Sequence, residues 1–195
     1  MKNESRTKKI ALTGLMAALC YVCFTFSKIP IPTLSGDFTA LHIGNAFCVL
    51  ASLLLGGVYG GLAGSLGMTI ADLMDPVYIT SAPKTFILKF LIGLIAGAVA
   101  HKIAHITDDH DRKYIIKWSL IASICGLGFN VIMDPIFGYF YKNFILGVPS
   151  DAAKIMATWS AGTTFINAVV GTIVVVVVYA ALRPVMKRLG LFFHI

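Results

Sequence analysis

The chain is 195 residues long, 57% hydrophobic and only 13% charged, where a soluble domain runs nearer a quarter charged. With a mean hydropathy of +0.84, so small a globule cannot hide its apolar residues in one core, which excludes a water-soluble protein and leaves lipid as the solvent. The formal charge of +7 does not indicate nucleic acid, because the basic residues sit at the ends of apolar runs, the pattern of membrane topology.

In chain order, Met1 to Lys9 followed by an apolar run resembles a signal peptide, but the run reaches Ser27 with no A-x-A-like cleavage site, so it reads as a retained first span over residues 10–28. Lys28-Ile29-Pro30-Ile31-Pro32 closes it with an extended segment, and a polar loop follows to about Leu41. The apolar stretch from Leu41 to Leu73 is 33 residues, about 50 Å if helical against a hydrocarbon core of about 30 Å. Gly56-Gly57 and Gly60-Gly61 therefore predict a break into two short helices, about 41–55 and 58–74, with a re-entrant pair as the alternative. Further spans are expected over about 82–103, 115–134 and 157–182, with the polar stretch from His101 to Tyr114 between the first two. The expected fold is thus one all-α, polytopic membrane domain over residues 1–195, with six transmembrane helices. Eleven of the sixteen Lys and Arg residues gather on the side of the termini, which predicts that both termini are cytoplasmic. The loops near 29–41, 75–82 and 135–154 then face outward.

Four cysteines, Cys20, Cys23, Cys48 and Cys125, lie inside apolar stretches without companions at metal-ligand spacing, so no disulfide framework, metal site or cofactor is expected. Ionisable side chains within spans cost about 2.5 to 3.5 kcal/mol each on insertion scales, and so mark partners, ligands or a water-filled cavity. Asp72, Lys89 and Asp134 are of this kind. Asp72-Leu-Met-Asp75-Pro76 and Asn130-Val-Ile-Met-Asp134-Pro135 suggest that a Met-Asp-Pro closes two helices at one membrane face, each Asp either starting a turn or serving a ligand. Lys84 reads as an interfacial snorkel, whereas Lys89, one turn deeper, points to Asp72, Asp134 or a ligand. His42 either caps the second helix or meets ligand. Asn45 opens that helix, and Asn167 sits in mid-span, free to bond a neighbouring helix. Gly56, Gly60 and Gly64, with Gly57 and Gly61 and with Gly93 and Gly97, mark close-packed faces. Ala11, Gly14 and Ala18 form a small-residue stripe on the first span, used either within the bundle or to dock another membrane protein.

The segments KKIALTGLMAAL, KIPIP, HIGNAFCVLASLLLGGVYGGLAGSLGMTIADL and PKTFILKFLIGLIAGAV together resemble the substrate-binding S components of energy-coupling factor (ECF) vitamin transporters, nearest the riboflavin, hydroxymethylpyrimidine and pyridoxine group. The resemblance covers roughly residues 8 to 100. It implies a cell-membrane protein that captures a small vitamin at its outer face and joins a transmembrane coupling subunit bearing two cytoplasmic ATPases. Consistently, the chain has no G-x-x-x-x-G-K-[ST] loop, so no ATP hydrolysis of its own is expected. The family's Ala-x-x-x-Ala docking face matches Gly14 and Ala18, with Gly in place of one Ala. Expected substrate anchors are Asn45, Asp72, Lys89, Asn130, Asp134 and Asn167 in an apolar, aromatic-lined pocket, with residues 29–41 as its lid and Ser35-Gly36-Asp37 as a flexible tip. A membrane enzyme built on Gly64-Ser65-Leu66-Gly67 departs from G-x-S-x-G. The alternative to an S component is a stand-alone ion-coupled carrier or channel, for which no inverted repeat is visible.

Overall fold

A computed structural model describes residues 2–34, 36 and 38–190, with side chains from residue 6 onward. Ser35 and Asp37 of the expected flexible tip lie outside the described residues. Six helices carry the fold: α1 (Lys2–Phe26), α2 (Gly44–Leu55), α3 (Gly57–Leu73), α4 (Ala82–Gly97), α5 (Arg112–Phe140) and α6 (Ser150–Arg188). π-helical turns extend α4 over Ala98–Ile103 and α5 over Tyr141–Ile145, and a single 3-10 turn, Ile79–Ser81, precedes α4.

α2 is the centre. It is apolar all round, and eleven of its twelve residues are buried, which is the signature of a helix enclosed by others. α1, α3, α4, α5 and α6 all contact it. The outer helices instead turn Leu15, Ile87, Ile124, Phe165, Ile173 and Val177 outward, so the apolar surface lies outside as well as within. Four helical stretches, Arg6–Phe26, Ile79–Ile103, Arg112–Ile145 and Ser150–Arg188, are long and apolar enough to cross a membrane. α2 and α3, at 12 and 17 residues, reach only about 18 and 26 Å.

The predicted break falls at Gly56, whose φ of 87° admits no ordinary side chain without strain and reverses the chain between α2 and α3. From there two glycine stripes wedge α3 between its neighbours. Gly60 and Gly64 lie against Ser52 and Cys48 of α2, while Gly57 and Gly61 meet Gly97 and Gly93 of α4. α1 packs on α3 through a four-residue period, Met16, Cys20 and Phe24, with Gly67 of α3 seated against Ala17 and Cys20.

Three expectations are corrected. The segment after α1 is a β-hairpin, β1 (Ile29–Pro32) antiparallel to β2 (Phe38–Leu41), with Pro30 opposite Ala40 and Pro32 opposite Phe38, so the chain is not wholly α. The prolines alternate, which places both missing donors on the same phase of the ladder and leaves Ile29 and Ile31 able to pair. Met-Asp-Pro closes only α3: Pro135 lies inside α5, which runs on to Phe140, placing Asp134 within a helix rather than at its end. α6 begins at Ser150, seven residues before the expected span. At the other end, Asp111 caps α5 by accepting from the Tyr114 amide at 3.2 Å. His101, grouped in the sequence with the polar 101–114 stretch, is buried, and its ring Nε2 lies 3.0 Å from the Ser52 carbonyl of α2.

Candidate functional site

A cavity of about 110 Å³ lies at the end of the bundle where the hairpin sits. Each bordering element contributes a polar stripe at helical spacing to an otherwise apolar helix: Thr85 and Lys89 with Lys84 on α4, continued by Ser81 of the 3-10 turn before it, Asn130 and Asp134 on α5, Ser160, Thr164 and Asn167 on α6. Asp72 enters from the last turn of α3, Asn45 from the first turn of α2, and His42 from the chain just before it. Thr39 and Ala40 of β2 close the cavity from the hairpin side. All six residues expected as anchors line this one cavity. Its lining is divided about evenly between polar and apolar surface, more polar than the expected apolar, aromatic-lined pocket; Phe24, Phe38, Tyr78, Met68 and Met156 supply the principal apolar walls.

The polar groups differ in how fully they are engaged. Asp134 is saturated: Lys84 donates to Oδ1 at 3.1 Å, Ser160 donates a short bond to Oδ2, and Thr164 donates to Oδ2 at 3.4 Å. Lys84 is therefore an interior ion-pair partner, not an interfacial snorkel. Asp72, only 2% exposed, accepts from Thr85 through Oδ2 at 2.6 Å. Among the described residues its Oδ1 is buried without a hydrogen-bond partner, as is Asn45 Oδ1. Lys89, buried on α4, donates to Asn130 Oδ1 at 3.3 Å. It forms no ion pair with Asp72 or Asp134 among the described residues. His42 does not cap α2: the cap position is Ile43, which makes no side-chain cap bond. Its ring meets Phe24 edge-on at 4.6 Å, and its Nδ1 has no hydrogen-bond partner among the described residues.

Asn167 faces the hairpin. Its Nδ2 donates to the Ala40 carbonyl at 3.0 Å and its Oδ1 accepts the His42 amide at 3.0 Å, so one side chain clasps both sides of the β2 exit. The Thr39 and Thr163 hydroxyls share a bond of 2.7 Å, and Tyr78 donates to the Thr39 carbonyl at 3.5 Å. At the hairpin root Lys28 pairs with Asp75 at 2.9 Å, with its ammonium 4.5 Å from the Phe24 ring centre and 4.2 Å from that of Tyr78. Desolvation raises the Asp75 carboxyl, but Lys28 and the Val77 amide outweigh it and hold the group below its ordinary range.

Thr85, Ser160, Thr163 and Thr164 were not singled out in the sequence, although the four-residue spacings of Thr85 from Lys89, Thr163 from Asn167 and Ser160 from Thr164 were there to be read. Among the described residues no group of three His, Cys, Asp or Glu side chains is placed to hold a metal. On the far side of α1, Ala11, Gly14 and Ala18 are exposed, and a Cβ added at Gly14 would meet nothing within 4 Å. The stripe thus takes no part in packing the bundle.

A helical bundle with apolar outer faces, a polar cavity at one end and a hairpin across it defines a membrane-embedded small-molecule binder. The family described as the S component of the ECF-type riboflavin transporter matches residues 4–184, and the chain belongs to that family. It is accordingly a multi-pass protein of the cell membrane, and membership implies a vitamin substrate and an ECF module as partner. Among curated relatives, a UPF0397 protein of Enterococcus faecalis is 28% identical over 186 residues, covering 88% of this chain and 94% of that one. A UPF0397 protein of Exiguobacterium sp. is 25% identical over 169 residues, covering 83% and 88%. The fold is similar to a solved S component of a bacterial ECF transporter, with a TM-score of 0.61 and 22% identity over 96% of this chain and 99% of that one.

Proposed function

We propose that this chain captures a small heterocyclic vitamin or vitamin precursor, of riboflavin, pyridoxine or hydroxymethylpyrimidine type, in the cavity beneath the hairpin. It then delivers that molecule inward as the S component of an ATP-driven ECF transporter. In this reading all six helices cross the bilayer, with the short α2 enclosed by the others and both termini in the cytoplasm, as the Lys and Arg distribution favours. The transmembrane coupling subunit docks on Ala11, Gly14 and Ala18, and two cytoplasmic ATPase subunits supply the energy.

The observation that carries the reading is the convergence of the buried Asp72, Lys89, Asn130 and Asn45 on one cavity at the end of an apolar bundle. Ionised and amide groups persist in such surroundings where a ligand or a partner repays their desolvation. The test is to purify the chain from cells and identify the small molecule that accompanies it by mass spectrometry. A heterocyclic vitamin is the expected result; ion-coupled flux in vesicles containing this chain alone would overturn the reading.

A further inference from the structure

The end of the bundle away from the hairpin carries a second recess, which vitamin capture does not use. An open groove of about 440 Å³ runs between the start of α5 and the C-terminal part of α6, lined by His110, Arg112, Ile115, Ala180, Arg183 and Pro184. Arg183 lies about 24 Å along α6 from Asn167 of the cavity. Against a hydrocarbon core of about 30 Å, that places the groove at the opposite membrane boundary.

The two halves of the groove differ in chemistry. One half is basic, and among the described residues no Asp or Glu lines it. Arg183 is set in place by the chain, its Nη2 donating to the Ile106 carbonyl at 3.3 Å and the Asp108 carbonyl at 2.7 Å. His110 is held as well, with Nε2 3.2 Å from the His105 carbonyl and its ring stacked on Tyr114 at 4.0 Å. Arg112 is exposed and enters no ion pair among the described residues. The neighbouring Asp109 is taken by Lys187. The other half, Ile115, Ala180 and Pro184, is apolar. Pro184 stands inside α6 and has no N–H to give the Ala180 carbonyl, which loosens the turn bordering the groove. Ala180 and Pro184 continue at helical spacing into Val177 and Ile173, both turned outward from the bundle.

A small anion would use only the basic half, and an uncharged lipid only the apolar one. We propose that the groove holds one anionic phospholipid, with its phosphodiester among Arg112, Arg183 and His110 and an acyl chain along Ala180, Val177 and Ile173. Guanidinium forks match phosphate oxygens in pairs, and basic pockets between membrane helices select anionic headgroups. Seated there, the lipid bridges α5 and α6 and stabilises the folded chain by mass action.

The test delipidates the purified full chain in neutral detergent and records its unfolding temperature with phosphatidylglycerol, phosphatidylcholine or inorganic phosphate added. Native mass spectrometry counts the lipid retained. Phosphatidylglycerol should bind about tenfold or more tightly than phosphatidylcholine, with one copy retained, and Arg112→Gln should remove most of that advantage. Lys113→Gln combined with Lys117→Gln removes exposed charges from the same end of α5 without touching the groove, and should leave lipid affinity unchanged. Ala180→Phe fills the apolar half with every charge kept and should also weaken retention; if it fails to fold, the exposed Arg112 carries the test. Equal affinity for the two lipids overturns the proposal. So does a loss in the Lys113, Lys117 variant as large as that of Arg112→Gln, because the attraction is then a general basic field. Inorganic phosphate matching the lipid at equal concentration assigns the groove to a free anion and overturns it too. An Arg112→Gln variant that binds lipid normally but no longer copurifies with a coupling subunit makes the groove a protein contact instead.

Discussion

Asp134 and Asp72 are both carboxylates in an apolar bundle, yet their surroundings give them different tasks. Asp134 joins α4, α5 and α6 through Lys84, Ser160 and Thr164. Its removal strands a buried ammonium, a loss of about 3–5 kcal/mol where one partner of a buried pair is deleted. Asp134→Ala should therefore lower the unfolding temperature in detergent sharply, and the double variant Lys84→Met, Asp134→Leu should recover much of it because no charge is then left alone. Among the described residues the Asp72 side chain holds Thr85 alone, so Asp72→Ala is expected to reduce ligand affinity with a smaller stability change. Calorimetric unfolding alongside ligand titration checks both, and equal stability losses at the two positions would refute the division. Asn45, Asp72, Lys89, Asn130, Asp134 and Asn167 were legible in the sequence because a charge or amide inside an apolar run demands a reason, whereas Lys84, near a helix end, passed for a snorkel. The hydroxyls were not. A Ser or Thr on a helix can satisfy itself on its own backbone, as Thr163 does with the Trp159 carbonyl at 3.1 Å, and so raises no energetic alarm.

At the scale of elements the hairpin is the informative piece. Two alternating prolines read as an interruption rather than a strand, and the pairing partner β2 lies beyond a turn whose residues carry no periodic signal; local pattern alone could not reveal it. Helix ends were hidden for related reasons, since Pro135 looks like a terminator and Asp151 with Lys154 looks like a loop, although the two pair on the first turn of α6. If the hairpin serves as a lid over the cavity, it hangs on few bonds, chiefly those of Asn167, Thr163 and Lys28. Asn167→Ala removes two of them and should raise the ligand off-rate about thirtyfold, at about 1 kcal/mol per bond. Stopped-flow displacement reads this directly, and an unchanged off-rate would remove the clasp from the mechanism.

The Lys28–Asp75 pair at the hairpin root sets the expected pH response. The Asp75 carboxyl sits below its unfolded value, so the pair stabilises closure above about pH 4 and loses that effect as pH falls through the depressed folded value. Protease accessibility of residues 29–41 should accordingly be flat from about pH 5 to 8 and rise only in stronger acid. Asp75→Asn should show the raised accessibility at neutral pH and no further acid step. An acid step that survives in that variant would assign the response elsewhere.

For the whole molecule, the proposed function puts capture and coupling in different places. The cavity lies under the hairpin, where α2 begins and α3 ends, whereas Ala11, Gly14 and Ala18 sit on the outward face of α1, toward its N-terminal half. Small side chains let a second helix backbone approach and gain dispersion contacts, which is how helices associate where lipid supplies no hydrophobic drive. The structure sharpens the test, because a Cβ at Gly14 meets no neighbour and the inward packing of α1 rests on Met16, Cys20 and Phe24 instead. Gly14→Leu combined with Ala18→Leu should therefore leave folding and ligand binding of the isolated chain unchanged. The same double variant should abolish copurification with the coupling subunit, and uptake with it. Loss of ligand binding with copurification retained would return the stripe to the bundle's own packing and end the docking assignment.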